Sequence, residues 1–212
     1  MIKIIKSIYF KLKYFQFIVF KKRGYQKSLL SINLCCGGQR IPGYFNIDIN
    51  NGVDLTLDLS KKNIPFDNNR CSSVICISAI NYFSYSRAQE IVSEVFRILR
   101  SGGIARFGVQ DLEAITKRYV EKDTAFFFQK TLLGQERFEG KTLGDKFVAW
   151  FYGYVAGGSP CKYFYDYESL ALLFKNAGFS IIERKQYLES RLDNINMIDN
   201  RPDQMFFLEA VK

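Results

Sequence analysis

The chain has 212 residues, a formal net charge of +9, 48% hydrophobic residues and 24% charged residues. These proportions fit one globular domain with room for an appendage, and they exclude disordered, collagen-like and low-complexity chains. Residues 1–47 hold nine Lys/Arg and no acid while residues 48–212 hold twenty-one of each sign, so a basic arm precedes a neutral body and a nucleic-acid-binding surface is not expected.

Residue chemistry narrows the field further. No histidine occurs, which removes Ser-His hydrolases, His-ligated zinc and imidazole bases. The five cysteines, Cys35, Cys36, Cys71, Cys76 and Cys161, include no C-x-x-C pair. Neither a zinc site nor a disulfide framework is expected; reduced thiols in a cytoplasmic protein fit better.

Residues 1–27 read as a basic amphipathic helix. Lys3, Lys6 and Lys13 fall on one side of a helical wheel, Ile4, Ile8, Phe15 and Ile18 cluster elsewhere, and Lys11 breaks the pattern. Lys11 and Lys13 interrupt any membrane-spanning run. The run from Phe15 to Phe20 is too short for a signal-peptide core. Two readings stand: an interfacial helix on an anionic membrane surface, at the inner face of the membrane, or a helix packed on its own domain or on a partner.

From residue 28 to 212 strand and helix patterns alternate. Strands are expected at Leu29–Leu34, Tyr44–Ile49, Val53–Leu59, Ser73–Ser78, Ile104–Val109, Phe179–Tyr187 and Met205–Val211. Helices are expected at Ser86–Leu99, stopped by Ser101-Gly102-Gly103, and at Tyr167–Ala177, stopped by Gly178. The alternation predicts an α/β fold with an open, mostly parallel sheet. Residues 112–166 form an aromatic-rich, mostly helical insertion with a Gly-Gly-Ser-Pro turn at Gly157–Pro160. It leaves the sheet's carboxyl edge, so it reads as a lid or substrate pocket, or as a packing subdomain.

The informative motif runs from Ile32 to Asp48. A strand ends in Cys35-Cys36-Gly37-Gly38, and Asp48 closes the next strand. Small residues let a ligand approach the backbone, and an acidic side chain can accept hydrogen bonds from a ribose diol. A dinucleotide fingerprint is disfavoured, because Cys35 and Arg40 stand where G-x-G-x-x-G needs its first and last glycines.

On these residues the chain resembles class I S-adenosylmethionine-dependent methyltransferases. It is more specifically similar to small predicted methyltransferases of bacterial surface-polysaccharide clusters. Asn33–Gly38 and Pro42–Asp48 match the first motif and the acidic second strand. Ile64-Pro65-Phe66, Arg97 to Gly103, Asp111-Leu112-Glu113, Tyr165-Asp166, Ala177-Gly178-Phe179 and Phe206 to Lys212 follow in order. The resemblance implies a Rossmann-like sheet of seven strands with an antiparallel C-terminal strand, S-adenosylmethionine as cofactor, and a small-molecule or glycan acceptor. It implies that Cys35, Cys36 and Gly37 line the methionine part of the cofactor, that Asp48 binds the ribose, that Asp58 and Leu59 meet the adenine, and that Ser78 lies near the methyl group. Where relatives carry glycine, proline and histidines, this chain has Cys35, Gln110, the stretch Ala79–Phe83 and Cys161.

The activated methyl needs mainly proximity. A hydroxyl acceptor, the favoured one, also needs a base. Without histidine the candidate is Asp111, with Glu113 behind it; an N-cap is the structural alternative for Asp111. An amine would need less help, and Asn81-Tyr82 could hold one. The rival functions are a degenerate, catalytically silent cofactor-binding protein and another Rossmann-like enzyme such as an oxidoreductase.

Overall fold

A computed structural model describes residues 12, 15–18, 29–131, 133–152 and 160–212. Strands β1 (Leu30–Leu34), β2 (Phe45–Asp48), β3 (Leu55–Thr56) and β4 (Cys71–Ile77) precede helix α1 (Tyr85–Ile98) and strand β5 (Leu99–Gln110). Helices α2 (Leu112–Val120), α3 (Thr124–Phe127), α4 (Leu143–Tyr152) and α5 (Tyr167–Ala177) follow. Strand β6 (Ile181–Lys185), helix α6 (Ile195–Ile198) and strand β7 (Met205–Val211) close the chain. The seven strands form one sheet in the order β3-β2-β1-β4-β5-β7-β6. Strands β1 to β5 pair in parallel, and β7 runs antiparallel between β5 and β6. The expected sheet is therefore present, with shorter β3 and β6 and a longer β5 than the sequence pattern suggested.

The two faces of this sheet differ chemically. On one face, Phe45, Ile32, Val74, Ala105, Ala210 and Ile182 stand in register across six strands. They lie in the main apolar core beneath α1 and α5. The next row, on the opposite face, reads Asn46, Asn33, Ile75, Arg106, Glu209 and Glu183. Asn33, Asn46, Arg106 and Glu209 are buried there, so that face must be satisfied by hydrogen bonds and ion pairs rather than by a helix's apolar stripe.

The partner is the connection from β6 to β7. Arg106 donates a fork of two hydrogen bonds to Asp199, at 2.8 and 2.6 Å, and one to the Glu189 carbonyl at 2.8 Å. Glu209 accepts from the Arg191 backbone N–H at 3.1 Å and from its guanidinium at 3.0 Å. An apolar patch of Ile41, Ile75 and Ile198 completes the seal. Because β6 runs parallel to β5, this connection starts at the carboxyl edge, and these contacts hold it there.

Helix boundaries follow local chemistry. Ser84 caps α1 by accepting from the Arg87 N–H, and Ala88, Ile91, Val92, Val95 and Ile98 are its buried stripe. The helix does not run to the glycines: Leu99 is already extended, fully buried and paired with Cys71. Asp166 and Ser169 form a capping box at the start of α5, and Gly178 ends it at φ 104.

The insertion builds its own small core from Ile115, Phe126, Phe127, Phe138, Ala149 and Trp150. The expected turn at Gly157–Pro160 lies outside the described residues except for Pro160. The N-terminal helix is likewise described only at residues 12 and 15–18. There Phe17 is buried against Phe45 and Phe66, at ring separations of 5.7 Å each. Leu12 and Phe15 are exposed, so Phe17 packs on the body while Phe15, on the expected apolar side, does not. Among the described residues no helix is long and apolar enough to cross a membrane.

Candidate functional site

Strand order reverses between β1 and β4, and ligands of open α/β sheets sit at the carboxyl ends of the strands flanking such a switch point. The β1 exit passes through Cys35 at φ 53 and Gly37 at φ 54. Left-handed backbone suits glycine and costs a cysteine about 1 kcal/mol or more, so Cys35 carries a strain at this turn that a glycine would not. A Cβ built on Gly37 or Gly38 meets nothing within 4 Å; their backbone borders open space into which a ligand can fit.

Asp48, buried at the end of β2, faces this turn. Its Oδ2 accepts from the Gly37 N–H at 2.8 Å and its Oδ1 accepts from the Asn50 N–H at 2.8 Å. Each carboxylate oxygen retains a further lone pair, so the group can still take a diol. Beneath it Asn33 donates to Asn46 at 3.0 Å and to the Gln39 carbonyl at 2.8 Å. Asn46 Oδ1 accepts from the Ile41 N–H at 3.1 Å. These buried amides hold the β1–β2 turn in shape.

The thiols stay protonated at neutral pH. Burial and then the Asp48 charge push the Cys36 thiol up to about 11. A hydrogen bond with the Cys76 thiol, reinforced by burial, raises Cys35 well above its usual value. A thiolate at this place would compete as a nucleophile for any electrophilic ligand; the neutral thiols do not.

Asp58 and Leu59 follow β3, beside Asp48: the Leu57 N–H donates to the Asp48 carbonyl at 2.8 Å. The Asp58 carboxylate binds the Ser60 N–H at 3.0 Å, the Ser60 hydroxyl at 2.6 Å and the Lys61 ammonium at 2.8 Å. Burial raises its pKa, but the bonds to Lys61 and Ser60 outweigh burial and hold it below the usual carboxylate range. The Leu59 side chain is in the core, and its carbonyl accepts from Arg87 at 2.7 Å.

Ser78, at φ 59, lies just past β4. Its hydroxyl oxygen accepts from Gln110 at 2.9 Å and from Arg201 at 3.0 Å. With both lone pairs taken, its own proton remains to donate. Asn200 donates to Gln39 Oε1 at 2.6 Å, and Gln39 donates to the Met197 carbonyl at 2.9 Å. A polar clasp of Gln39, Asn200, Arg201, Ser78 and Gln110 thus spans the ends of β1, β4 and β5.

Asp111 is occupied otherwise than expected of a base. Oδ1 caps α2 through the Ala114 N–H at 3.0 Å, and Oδ2 pairs with Arg184 at 2.9 Å. Glu113 is exposed and lies 3.6 Å from the same arginine. Four buried side-chain atoms near this edge lack a hydrogen-bond partner among the described residues: Asn81 Oδ1, Gln110 Oε1, Asn200 Oδ1 and the Tyr165 hydroxyl.

The structure thus brings Cys35, Cys36, Gly37 and Asp48 together at the switch point, with Asp58, Leu59 and Ser78 on flanking strand ends. Sequence reasoning assigned nothing to Gln39, Asn200 and Arg201 and saw Gln110 only as a departure. One available signal was the presence of Arg106 and Glu209 inside otherwise apolar strands: buried charges demand partners, and those partners lie in the clasp-bearing connection.

No protein-family model and no curated protein matches the chain. Solved structures do. A Thermotoga maritima protein described as an S-adenosylmethionine-dependent methyltransferase, possible histamine N-methyltransferase, aligns over 100% of both chains with 13% identity and a TM-score of 0.50. A Mesorhizobium loti S-adenosylmethionine-dependent methyltransferase aligns over 89% of this chain and 93% of its own, with 14% identity and a TM-score of 0.51. A methyltransferase of the same dependence from Archaeoglobus fulgidus aligns over 99% and 94%, with 10% identity and a TM-score of 0.52. The chain has the Rossmann-like fold of these methyltransferases.

Proposed function

We propose that the protein is an S-adenosylmethionine-dependent methyltransferase acting on a small-molecule or glycan acceptor. The observation that carries this reading is Asp48, held beside the Gly37 amide under the open space above Gly37 and Gly38. Bound there, the cofactor supplies an activated methyl group. Asp48 accepts the ribose hydroxyls, the neutral Cys35 and Cys36 line the methionine arm, Asp58 and Leu59 flank the adenine, and Ser78 faces the reacting end. The fold neighbours' described cofactor supports the same reading.

Calorimetry tests it. S-adenosylmethionine and S-adenosylhomocysteine should bind and NAD should not. Asp48→Asn removes one charge-assisted acceptor and should weaken cofactor binding about tenfold or more. Binding of NAD alone, or unchanged affinity in Asp48→Asn, overturns the assignment.

The basic arm extends the proposal to an anionic membrane surface, for which the exposed Leu12 and Phe15 beside an acid-free, lysine-rich sequence are the support. The full chain should co-sediment with phosphatidylglycerol vesicles at low salt and detach as salt rises. No co-sedimentation would assign the arm to packing alone.

A further inference from the structure

Asn81 is fully buried and Gln110 nearly so, at 4% exposure. Each side chain donates one of its two amide N–H bonds to the protein: Asn81 to the Tyr163 carbonyl at 3.1 Å, Gln110 to Ser78 at 2.9 Å. Each leaves its carboxamide oxygen unpartnered among the described residues. The two belong to one locus. The turn Ile80–Tyr82, which carries Asn81, packs against β5, which ends in Gln110. The segment 162–165 joins them: the Asn81 carbonyl accepts the Lys162 N–H at 2.8 Å and the Tyr163 N–H at 3.2 Å, and Tyr165 pairs through an isolated bridge with Asp111, next to Gln110. Ser78, expected beside the methyl group, is hydrogen-bonded to Gln110.

A buried acceptor without a donor has lost its water and gained nothing in return, so a donor-bearing occupant is implied. The carboxylate that follows Gln110 in the chain, Asp111, has both oxygens engaged. Resting on the methyltransferase reading above, we propose that this locus takes an amine, with the carboxamide oxygens of Asn81 and Gln110 accepting its two N–H bonds. A nitrogen held by both N–H bonds turns its lone pair elsewhere, toward the methyl group. The neutral nitrogen's lone pair forms the new N–CH₃ bond as the C–S bond breaks. That electron pair stays on sulfur, giving S-adenosylhomocysteine, and the methylated ammonium releases its extra proton to water. The carboxamide dipoles favour the positive charge that grows on nitrogen, so they bind the transition state better than the substrate. No base is needed beyond the solvent that keeps the free amine neutral.

The test supplies the full chain and methyl-tritiated S-adenosylmethionine to a low-molecular-mass metabolite and glycan extract. A matched extract has its amines first blocked with N-hydroxysuccinimidyl acetate. Label should enter a product separated from the cofactor and retained on a sulfonate resin at pH 4, and blocking should cut incorporation at least tenfold. Gln110→Met, which keeps volume and loses both the acceptor and the donor to Ser78, should lower amine turnover about tenfold or more. Gln110→Glu, which keeps an acceptor, should retain it, and both variants should bind S-adenosylmethionine within about twofold of the parent. Labelling that survives amine blocking, or a neutral labelled product, overturns the proposal, as does full turnover in Gln110→Met. Calorimetric binding of S-adenosylmethionine with no labelled product from either extract also overturns it. Absence of cofactor binding instead overturns the methyltransferase reading on which it rests.

Discussion

At the scale of single residues, Asp111 shows how position and chemistry part company. Its place just past β5 suits a base, yet Oδ1 holds the α2 cap and Oδ2 holds Arg184. Arg184 is 44% exposed, so that ion pair contributes little stability, whereas the cap is worth about 1 kcal/mol. Asn caps about as well as Asp, so Asp111→Asn should leave the melting temperature nearly unchanged. With the carboxylate spent on structure, turnover should stay within about threefold of the parent. A drop near 10²-fold, the scale of a lost general base, would restore Asp111 to catalysis and favour a hydroxyl acceptor. Cys35 is a second case. Its backbone is left-handed, a conformation that favours glycine, yet the β1 turn forms with cysteine in that place.

At the scale of elements, the buried charge row decides how the sheet's second face is covered. Arg106 and Asp199 are completely buried, 2.6 Å apart, and Glu209 approaches the same guanidinium at 3.5 Å. Asp199 also accepts the Leu188 N–H at 2.9 Å. Truncating one partner of such a pair typically costs about 3–5 kcal/mol, because the other charge is left without its best counter-ion. Asp199→Ala should therefore lower the melting temperature by roughly 10 °C, and should loosen Asn200 and Arg201 at the clasp. An unchanged melting temperature would show that Glu209 alone suffices. This element also marks the limit of what the sequence discloses. The succession of strands along the chain, the Gly178 stop of α5 and the place of Asp48 at the end of β2 were legible, because local periodicity and turn chemistry write them. The connection 186–204 was not, because its order comes from bonds to Arg106 and Gln39, which lie 80–161 positions away along the chain. The end of α1 fell within one residue of its expected place, but residues 99–103, read as its end and stop, belong to β5: Leu99 pairs with Cys71, a tertiary contact that local signals do not write.

For the whole molecule, the titratable groups fall into two sets with a gap between them. Hydrogen bonds from Arg191 and Lys185 hold Glu183 down to about 2, and Asp166 is lowered by the Ser169 N–H and hydroxyl in its capping box. The backbone N–H groups of Phe126 and Thr142, respectively, likewise lower Asp123 and Asp145. Their stabilising effect is present above the unfolded carboxylate values near ~4 and is lost as pH falls below them. Burial acts oppositely on the thiols, pushing Cys71 up to about 12 and Cys161 and Cys36 up to about 11. The unfolded chain ionises these thiols near ~8.5, so they favour the native state below that pH and the effect is lost as pH rises toward the folded values. With no histidine in the chain, no side chain has its ordinary titration in between. The melting temperature should therefore vary by no more than about 2 °C from pH 5.5 to 7.5, then fall by on the order of 10 °C by pH 10. Cys71→Ala should lower the plateau through the small cavity it leaves, yet flatten the alkaline limb, because the titrating group is gone while the acid limb is untouched. Differential scanning calorimetry across this range checks both features. A slope between pH 5.5 and 7.5, or an alkaline limb of equal steepness in Cys71→Ala, would show that buried thiols do not set the alkaline boundary.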